Sequence, residues 1–465
     1  MAQREPDPAT QELEATTGLR ASLSLLRRNR DFRRLFLASV ISLGGDWFLF
    51  VAITSLIVET TGRAIDVGLA ILAQELAFFI ASPPAGVLVD RLDRRKLMIV
   101  CDLARVGVCA SFLFVGSETV WLAYPLLALL SVFSAPFDPA STAATPNLVA
   151  PSDLPTANAL NGSLWGTMLA VGAGLGGVVA TVFGRDTAFV IDAASFGVSA
   201  MLLWGIRRPF SEPREPGHEH PKMLAATIEV LHYARRDHRV LALIGVKAGF
   251  GLAAGVLALI PVFGVDVFGR GEIGVGALMA ARGVGALVGP FLGHRTSGAG
   301  HRRLFGAIGI ALAVFGVSYM ALGLAPTLWV ACIVIFVAHL GGGAQWVLST
   351  FGLQVLVPDH IRGRVFAADF AMITLSLAIS SVVASAIADA ASPRVAALVV
   401  GAMAVVWAIV WSALTRSIRR RTAVEGLSQP LPAGSQPGGV GGAGRPGGSG
   451  TSSSGGGGAA GGADD

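Results

Sequence analysis

Charge is scarce in this 465-residue chain: Asp, Glu, Lys and Arg make up 14% of it, against roughly 25% in soluble domains. That excludes an ordinary water-soluble globule. Cysteine is scarce too, and Cys101, Cys109 and Cys332 each fall inside an apolar run. This leaves no disulfide framework and no metal-ligand spacing, so they read as small core residues. The scattered His218, His220, His232 and His238 have no regular spacing and no acidic or cysteine partner beside them; they read as solvated histidines, and no metal is expected. No Gly-x-x-x-x-Gly-Lys-Ser/Thr loop occurs, which argues against direct ATP drive. No Ser-His-Asp or zinc spacing sits in an exposed domain large enough to hold it, so the reading is not an enzyme and needs no cofactor. Met1 to Arg34 is polar and lacks an apolar stretch ahead of the first long run, so no cleavable signal is expected.

Apolar residues are abundant: 53% of the chain is hydrophobic and the mean hydropathy is +0.65. About 20 apolar residues cross a bilayer, and runs of that length predict twelve spans. They lie near Leu35–Val58, Val67–Val89, Leu97–Val115, Val120–Phe137, Asn161–Phe183, Thr187–Ile206, Leu241–Phe263, Ile273–Leu292, Leu304–Leu324, Thr327–Ser349, Val365–Ile387 and Val395–Leu414. Charge tests the count. Arg27, Arg28, Arg30, Arg33 and Arg34 precede the first span, and every second turn after it is basic, through Arg91, Arg94, Arg95, Lys96, Arg207, Arg208, Arg302, Arg303, Arg362 and Arg364 to Arg416. The alternate turns hold only Arg63, Arg185, Arg270 and Arg394. Basic turns stay inside, so both termini are expected in the cytoplasm of a plasma (inner) membrane protein. The pI near 9.5 then follows from those turns and tails, and no nucleic-acid partner is invoked.

The expected organisation is an all-α membrane protein in two six-helix bundles. A cytoplasmic segment 1–34 leads into a first bundle, 35–206; a linker, 207–240, joins it to a second bundle, 241–414; and 415–465 is a Gly/Ser-rich tail too poor in apolar groups to fold. Within the linker, Leu224, Ile228, Leu231 and Tyr233 share a helical face, which predicts an amphipathic helix on the inner leaflet over 222–240. The halves echo each other weakly. Gly289-Pro-Phe-Leu-Gly-His-Arg295 stands where Gly86 to Lys96 stands in the first half, and Val355-Leu-Val-Pro-Asp-His-Ile361 echoes Leu148-Val-Ala-Pro-Ser-Asp-Leu154.

The turn Gly86-Val-Leu-Val-Asp-Arg-Leu-Asp-Arg-Arg-Lys96 carries the most specific motif. Its pattern, Gly-x-Leu-x-Asp-Arg followed after two residues by Arg-Arg/Lys, resembles the signature loop between helices two and three of the major facilitator superfamily, with Asp93 where that family has a second glycine. Segments 149–158 and 357–364 are similar to the bacterial exporters that include the enterobactin and macrolide efflux proteins. The resemblance runs from about Asn29 to Thr415 and implies duplicated bundles with a substrate cavity between them near midplane. It also implies a cytoplasmic gate built from Gly86, Asp90, Arg91, Arg94, Arg95, Asp102, Arg105 and Asp138. There Asp90 caps the start of span eleven, where a helix dipole favours an anion, and the turn's Arg reaches an acid at the end of span four, for which Asp138 is the match.

Charges inside hydrocarbon each need a reason. Asp102 and Arg105, three apart on one helix face, are expected to pair, for gating or for packing. Asp46 and Glu75 lie deep in the first half without a basic residue within a helical turn. They are read either as proton-coupling or cationic-substrate acids, or as groups hydrogen-bonded to a neighbouring helix. Arg282 is their counter-charge in the second half, unless it snorkels or binds a lipid phosphate. Lys247 is expected to snorkel, Asp192 to serve helix packing, and Asp369 to serve packing or to stand next in line as a proton carrier. Gln345 and Trp346, preceded by His339 and Gly341-Gly-Gly, either face the cavity or mark a packing kink. Gly172, Gly174, Gly176 and Gly177 allow close helix contact and resemble the antiporter signature Gly-Pro-x-x-Gly-Gly, with Ala173 in place of the proline. Three functions remain open: a proton-driven exporter of a drug, siderophore or other natural product, an importer of a solute or lipid, and a transport-inactive sensor or scaffold. The partners expected are a small-molecule substrate, protons and the bilayer, with the chain acting as a monomer.

Overall fold

In lipid a backbone has no water to bond with, so a chain this apolar satisfies its peptide groups inside helices. The computed structural model describes residues 18, 20–210, 233, 236–297 and 301–419. Among the described residues twelve helices are long and apolar enough to span a bilayer. They are α1 Arg30–Thr61, α2 Ala64–Arg91, α3 Arg94–Ser111, α4 Val120–Leu148, α5 Leu154–Phe183, α6 Arg185–Trp204, α7 His238–Val267, α8 Gly271–Ser297, α9 His301–Gly323, α10 Leu328–Leu356, α11 Asp359–Ala390 and α12 Pro393–Leu414. Every expected span is present. The expected linker helix apart from residues 233 and 236–240, the linker histidines apart from His238, and the tail beyond residue 419 lie outside the described residues.

Local chemistry sets the helix ends. Asn29 accepts from the Phe32 N–H at 3.0 Å to start α1; Gly62, at φ 64°, ends it by returning its N–H to the Val58 carbonyl. Only glycine adopts that left-handed turn without strain. Asp93 accepts from the Lys96 N–H at 2.9 Å, so the residue that departs from the familiar pattern is the N-cap of α3. Asp237 caps α7; half-burial pushes its carboxyl up, but hydrogen bonds from Arg239 outweigh that and hold it below the usual carboxylate range.

In the first half α1 packs on α5 and α6, α3 on α6, and α2 on α4; in the second, α8 and α9 pack on α10, α9 on α12, and α7 on α11. The halves meet along two seams, α5 against α8 and α2 against α11. Small residues make the seams close. A Cβ on Gly177 would stand 2.6 Å from the Glu272 carbonyl oxygen, and one on Gly68 would stand 2.9 Å from that of Ser381. Val182, Met201, Ile310, Ile333 and Ile409 face outward and are well exposed, as an apolar solvent allows.

Candidate functional site

Each odd-numbered helix starts at the face that carries the α2–α3 turn, here called the basic face, and each even-numbered helix starts at the opposite face. That opposite face is sealed. Asp389, at the end of α11, accepts from the backbone N–H of Ala64 at 2.7 Å and of Ile65 at 2.9 Å. Arg185, at the start of α6, is ion-paired with Glu59 at the end of α1 and, at 2.6 Å, with Glu272 in the first turn of α8. Both contacts join the two halves. The sequence reading places Arg185 only among the basic residues of the alternate turns and gives Asp389 no role. The signal for them was available: α2 begins with no side-chain cap of its own, and its four opening N–H groups need a partner.

Behind the seal a cavity of about 710 Å³ runs from the middle of the bundle toward the basic face. Ser39, Ser42, Asp46 and Trp47 come from α1, Gln74, Glu75 and Phe78 from α2, and Arg105 from α3. Ser134, Asp138 and Thr142 come from α4, Asn161 and Trp165 from α5, and the second half contributes Leu257, Arg282, Phe370 and Leu377. At ~1.5 Å per residue, Arg282 stands about 17 Å along α8 from its start, near midplane. Five of the charged residues read as functional therefore meet in one chamber: Asp46, Glu75, Arg105, Asp138 and Arg282.

Their surroundings differ. Arg105 is ion-paired with Asp102, which also accepts from Ser199 Oγ at 2.6 Å. The Arg105 guanidinium sits 4.1 Å from the Phe196 ring centroid and 4.9 Å from that of Phe137. That pair is neutral and locked. Asp46 feels the charges of Arg105, Asp102 and Asp138, and Glu75 feels that of Arg282. Among the described residues neither acid makes an ion pair. Arg282 lies over two indoles, 5.2 Å from Trp165 and 5.9 Å from Trp47. It is 8% exposed; among the described residues its Nε has no hydrogen-bond partner, and its one hydrogen-bond contact is to Met279 Sδ at 3.8 Å.

Several expectations need correction. Lys247 does not snorkel: it is 2% exposed, ion-paired with Asp369, bonded to Thr350 Oγ1 at 3.1 Å, and 4.4 Å from the Trp346 ring centroid. A carboxylate within reach on α11 offsets the cost of burying the ammonium, which no lone lysine at this depth escapes. Asp369 is thus that lysine's counter-ion. Of the two readings of Gln345 and Trp346 the geometry favours packing: neither is among the residues that line the cavity, and fully buried Gln345 bonds, among the described residues, to Ser349. His339 is bonded to the Tyr319 hydroxyl at 2.7 Å inside the second half. Arg94 gives its guanidinium to the carbonyls of Ala143 at 3.0 Å and Phe210 at 3.2 Å, while Asp138 faces the cavity. Arg95 donates to the Trp204 carbonyl at 2.8 Å. These arginines staple the ends of α3, α4 and α6 within the first half.

Gly86 makes no close approach, since a Cβ there would meet nothing within 4 Å; the cavity opens toward this face. Asp90 and Arg91 sit in the last turn of α2. The side chains at 359, 360 and 363, in the first turn of α11 where Asp90 is expected to dock, lie outside the described set. The glycine run of α5 divides its work. Gly172 and Gly176 pack on the α1 backbone at Gly44 and Phe48, Gly177 packs on α8, and Gly174 meets only the Ala280 Cβ, at 3.5 Å.

The family model described as transmembrane secretion effector matches residues 21–429. The chain is similar to the enterobactin exporter EntS of Citrobacter koseri, 30% identical over 363 residues that cover 74% of this chain and 82% of that protein. It is also similar to the uncharacterized MFS-type transporter YfiS of Bacillus subtilis, 26% identical over 214 residues; that match covers 46% of this chain and about half, 51%, of the relative. Among solved structures, a bacterial homolog of the human lysosomal transporter Spinster, inward-facing and unoccupied, superposes with a TM-score of 0.68 over 84% of this chain and 98% of that chain, at 14% identity. The nucleoside transporter NupG does so at 0.63 over 83% and 99%, with 12% identity. At such identities the structural likeness is one of fold alone.

Proposed function

The chain belongs to the transmembrane secretion effector family of major facilitator transporters, and on that premise we propose that it exports a small molecule across the plasma membrane in exchange for protons. The observation that carries this reading is the chamber at midplane, sealed at one face and lined by acids that have no fixed counter-ion. A transporter of this architecture works by letting one site face each side in turn, and its two states differ by only a few kcal/mol. In this reading the basic face is cytoplasmic and the conformation is the one that loads from inside. Asp46 and Glu75 carry the proton: each is protonated from the outer side and loses its proton to the cytoplasm as substrate enters. When the cavity turns outward, Asp90, Arg91, Arg94 and Arg95 close the cytoplasmic side. Similarity to a protein named as an exporter supports the direction, and one chain holds a whole cavity, which supports a monomer.

The test is accumulation of a panel of drugs and siderophores in cells with and without the protein, before and after collapse of the pH gradient. Lower accumulation that depends on the gradient is the expected result. Higher accumulation of a panel compound in expressing cells would make the protein an importer. Orientation is checked by a cysteine at Ser211, which an impermeant thiol reagent should label only after the inner face is opened.

A further inference from the structure

The cavity is electrically two-sided, and the sides belong to different halves of the molecule. Among the described residues its three carboxylates without an ion pair, Asp46, Glu75 and Asp138, come from α1, α2 and α4, while the sole charged lining side chain from the second half is Arg282. The other lining guanidinium, Arg105, is neutralised by Asp102 and enclosed by two phenyl rings. Arg282 keeps its proton under all physiological conditions and is more than nine-tenths buried. It makes no ion pair among the described residues and leaves Nε without an acceptor. Glu75 shares the chamber yet does not close that gap. A buried charge of this kind is costly until an anion reaches it. Trp47 and Trp165, with ring centroids 6.2 Å apart, frame it with flat apolar faces.

We propose that the substrate is an amphoteric molecule built on an aromatic body, whose acidic oxygen group docks on Arg282 between Trp47 and Trp165 and whose basic nitrogen docks on Asp46 and Asp138. The proposal rests on the transport reading above and names its substrate class. A ligand with both poles touches both halves at once, so its binding free energy acts on their relative position, as alternating access requires. Its cationic end also competes with protons for the carboxylates of the first half, which is the linkage an antiporter needs. A purely anionic ligand would instead favour protonated acids and travel with protons. The cavity volume, about 710 Å³, lies within the range of sites that enclose drug-sized ligands.

Three xanthene dyes of similar size separate the poles: rhodamine B carries a carboxylate and a cationic nitrogen, its ethyl ester only the cation, and fluorescein only acidic groups. Binding to the purified full-length protein in lipid nanodiscs, read by fluorescence polarisation without any gradient, is independent of transport direction and of coupling. Rhodamine B should bind about tenfold more tightly than either of the others, the scale of one charge-assisted hydrogen-bonded contact. Arg282→Gln should reduce rhodamine B to the affinity of its ester and leave the ester unchanged, and Arg282→Lys should keep part of the preference. Asp138→Asn should weaken rhodamine B and the ester together and spare fluorescein. Equal affinities for the three dyes, no binding by any of them, or loss of both cationic dyes in Arg282→Gln would overturn the proposal. Gradient-dependent export failing while these affinities hold would instead sink the antiport reading.

Discussion

Replacing Asp389 by alanine removes the group that joins the start of α2 to the end of α11. Its two carboxylate oxygens accept from the Ala64 and Ile65 N–H groups at 2.7 and 2.9 Å, and Arg63, in the N-cap position, contributes no side-chain hydrogen bond. Loss of an N-cap acceptor costs about 1 kcal/mol, and a carboxylate at a helix N-terminus adds ~0.3–1 kcal/mol. Asp389 is solvent-exposed, which keeps the total near 1.5 kcal/mol. Because the contact exists only while the opposite face is shut, the whole loss falls on that state, and the ratio of shut to open should drop about tenfold. Spin labels on cysteines at Glu118 and Pro326, one in each half on that face, would read the shift as a rise in the long-distance population. Cys101, Cys109 and Cys332 would first be replaced. Asp389→Asn, which keeps one neutral acceptor, should fall between wild type and alanine. A distance distribution identical in all three proteins would refute the claim that this carboxylate holds the seal.

The buried pair in the second half gives a second expectation: Lys247→Ala or Asp369→Ala leaves an uncompensated charge at a cost of about 3–5 kcal/mol, and the double substitution should recover part of the lost thermal stability in nanodiscs. The α5–α8 seam gives a third. Gly177→Ala puts a Cβ 2.6 Å from the Glu272 carbonyl oxygen and should cost about 1–3 kcal/mol through forced separation of the helices, while Gly174→Ala, first meeting an atom at 3.5 Å, should be silent in the same melting assay.

The spans were legible because length and polarity alone decide them, yet their ends were not. Leu35–Val58 is the apolar stretch, but α1 runs Arg30–Thr61; a helix continues past the hydrocarbon wherever a cap such as Asn29 waits. The pairing of Asp102 with Arg105 could be read because three residues on one helix fix their geometry. Lys247 and Asp369, 122 positions apart, meet only through the packing of α7 on α11, and no local pattern encodes that. Their depth and opposite sign were the available clue, since two such charges in one half rarely stay separate. The gathering of Asp46, Glu75 and Asp138 opposite Arg282 follows from the arrangement of the halves rather than from spacing. The tryptophans that frame Arg282 carried no signal beyond their position on α1 and α5.

The central claim is that acids in the cavity exchange a proton for substrate. It is tested most directly in proteoliposomes holding a pH-sensitive dye, with a compound from the efflux panel added outside. Wild-type protein should alkalinise the lumen as substrate enters and protons leave. The Asp46→Asn, Glu75→Gln double variant should still bind the compound, more weakly because Asp46 is one of the two carboxylates that dock its basic nitrogen, and at saturating compound it should leave lumenal pH unchanged, because neutral side chains at both positions hold no proton to release. Lumenal alkalinisation by that variant at the wild-type rate would contradict the account and place the coupling site elsewhere.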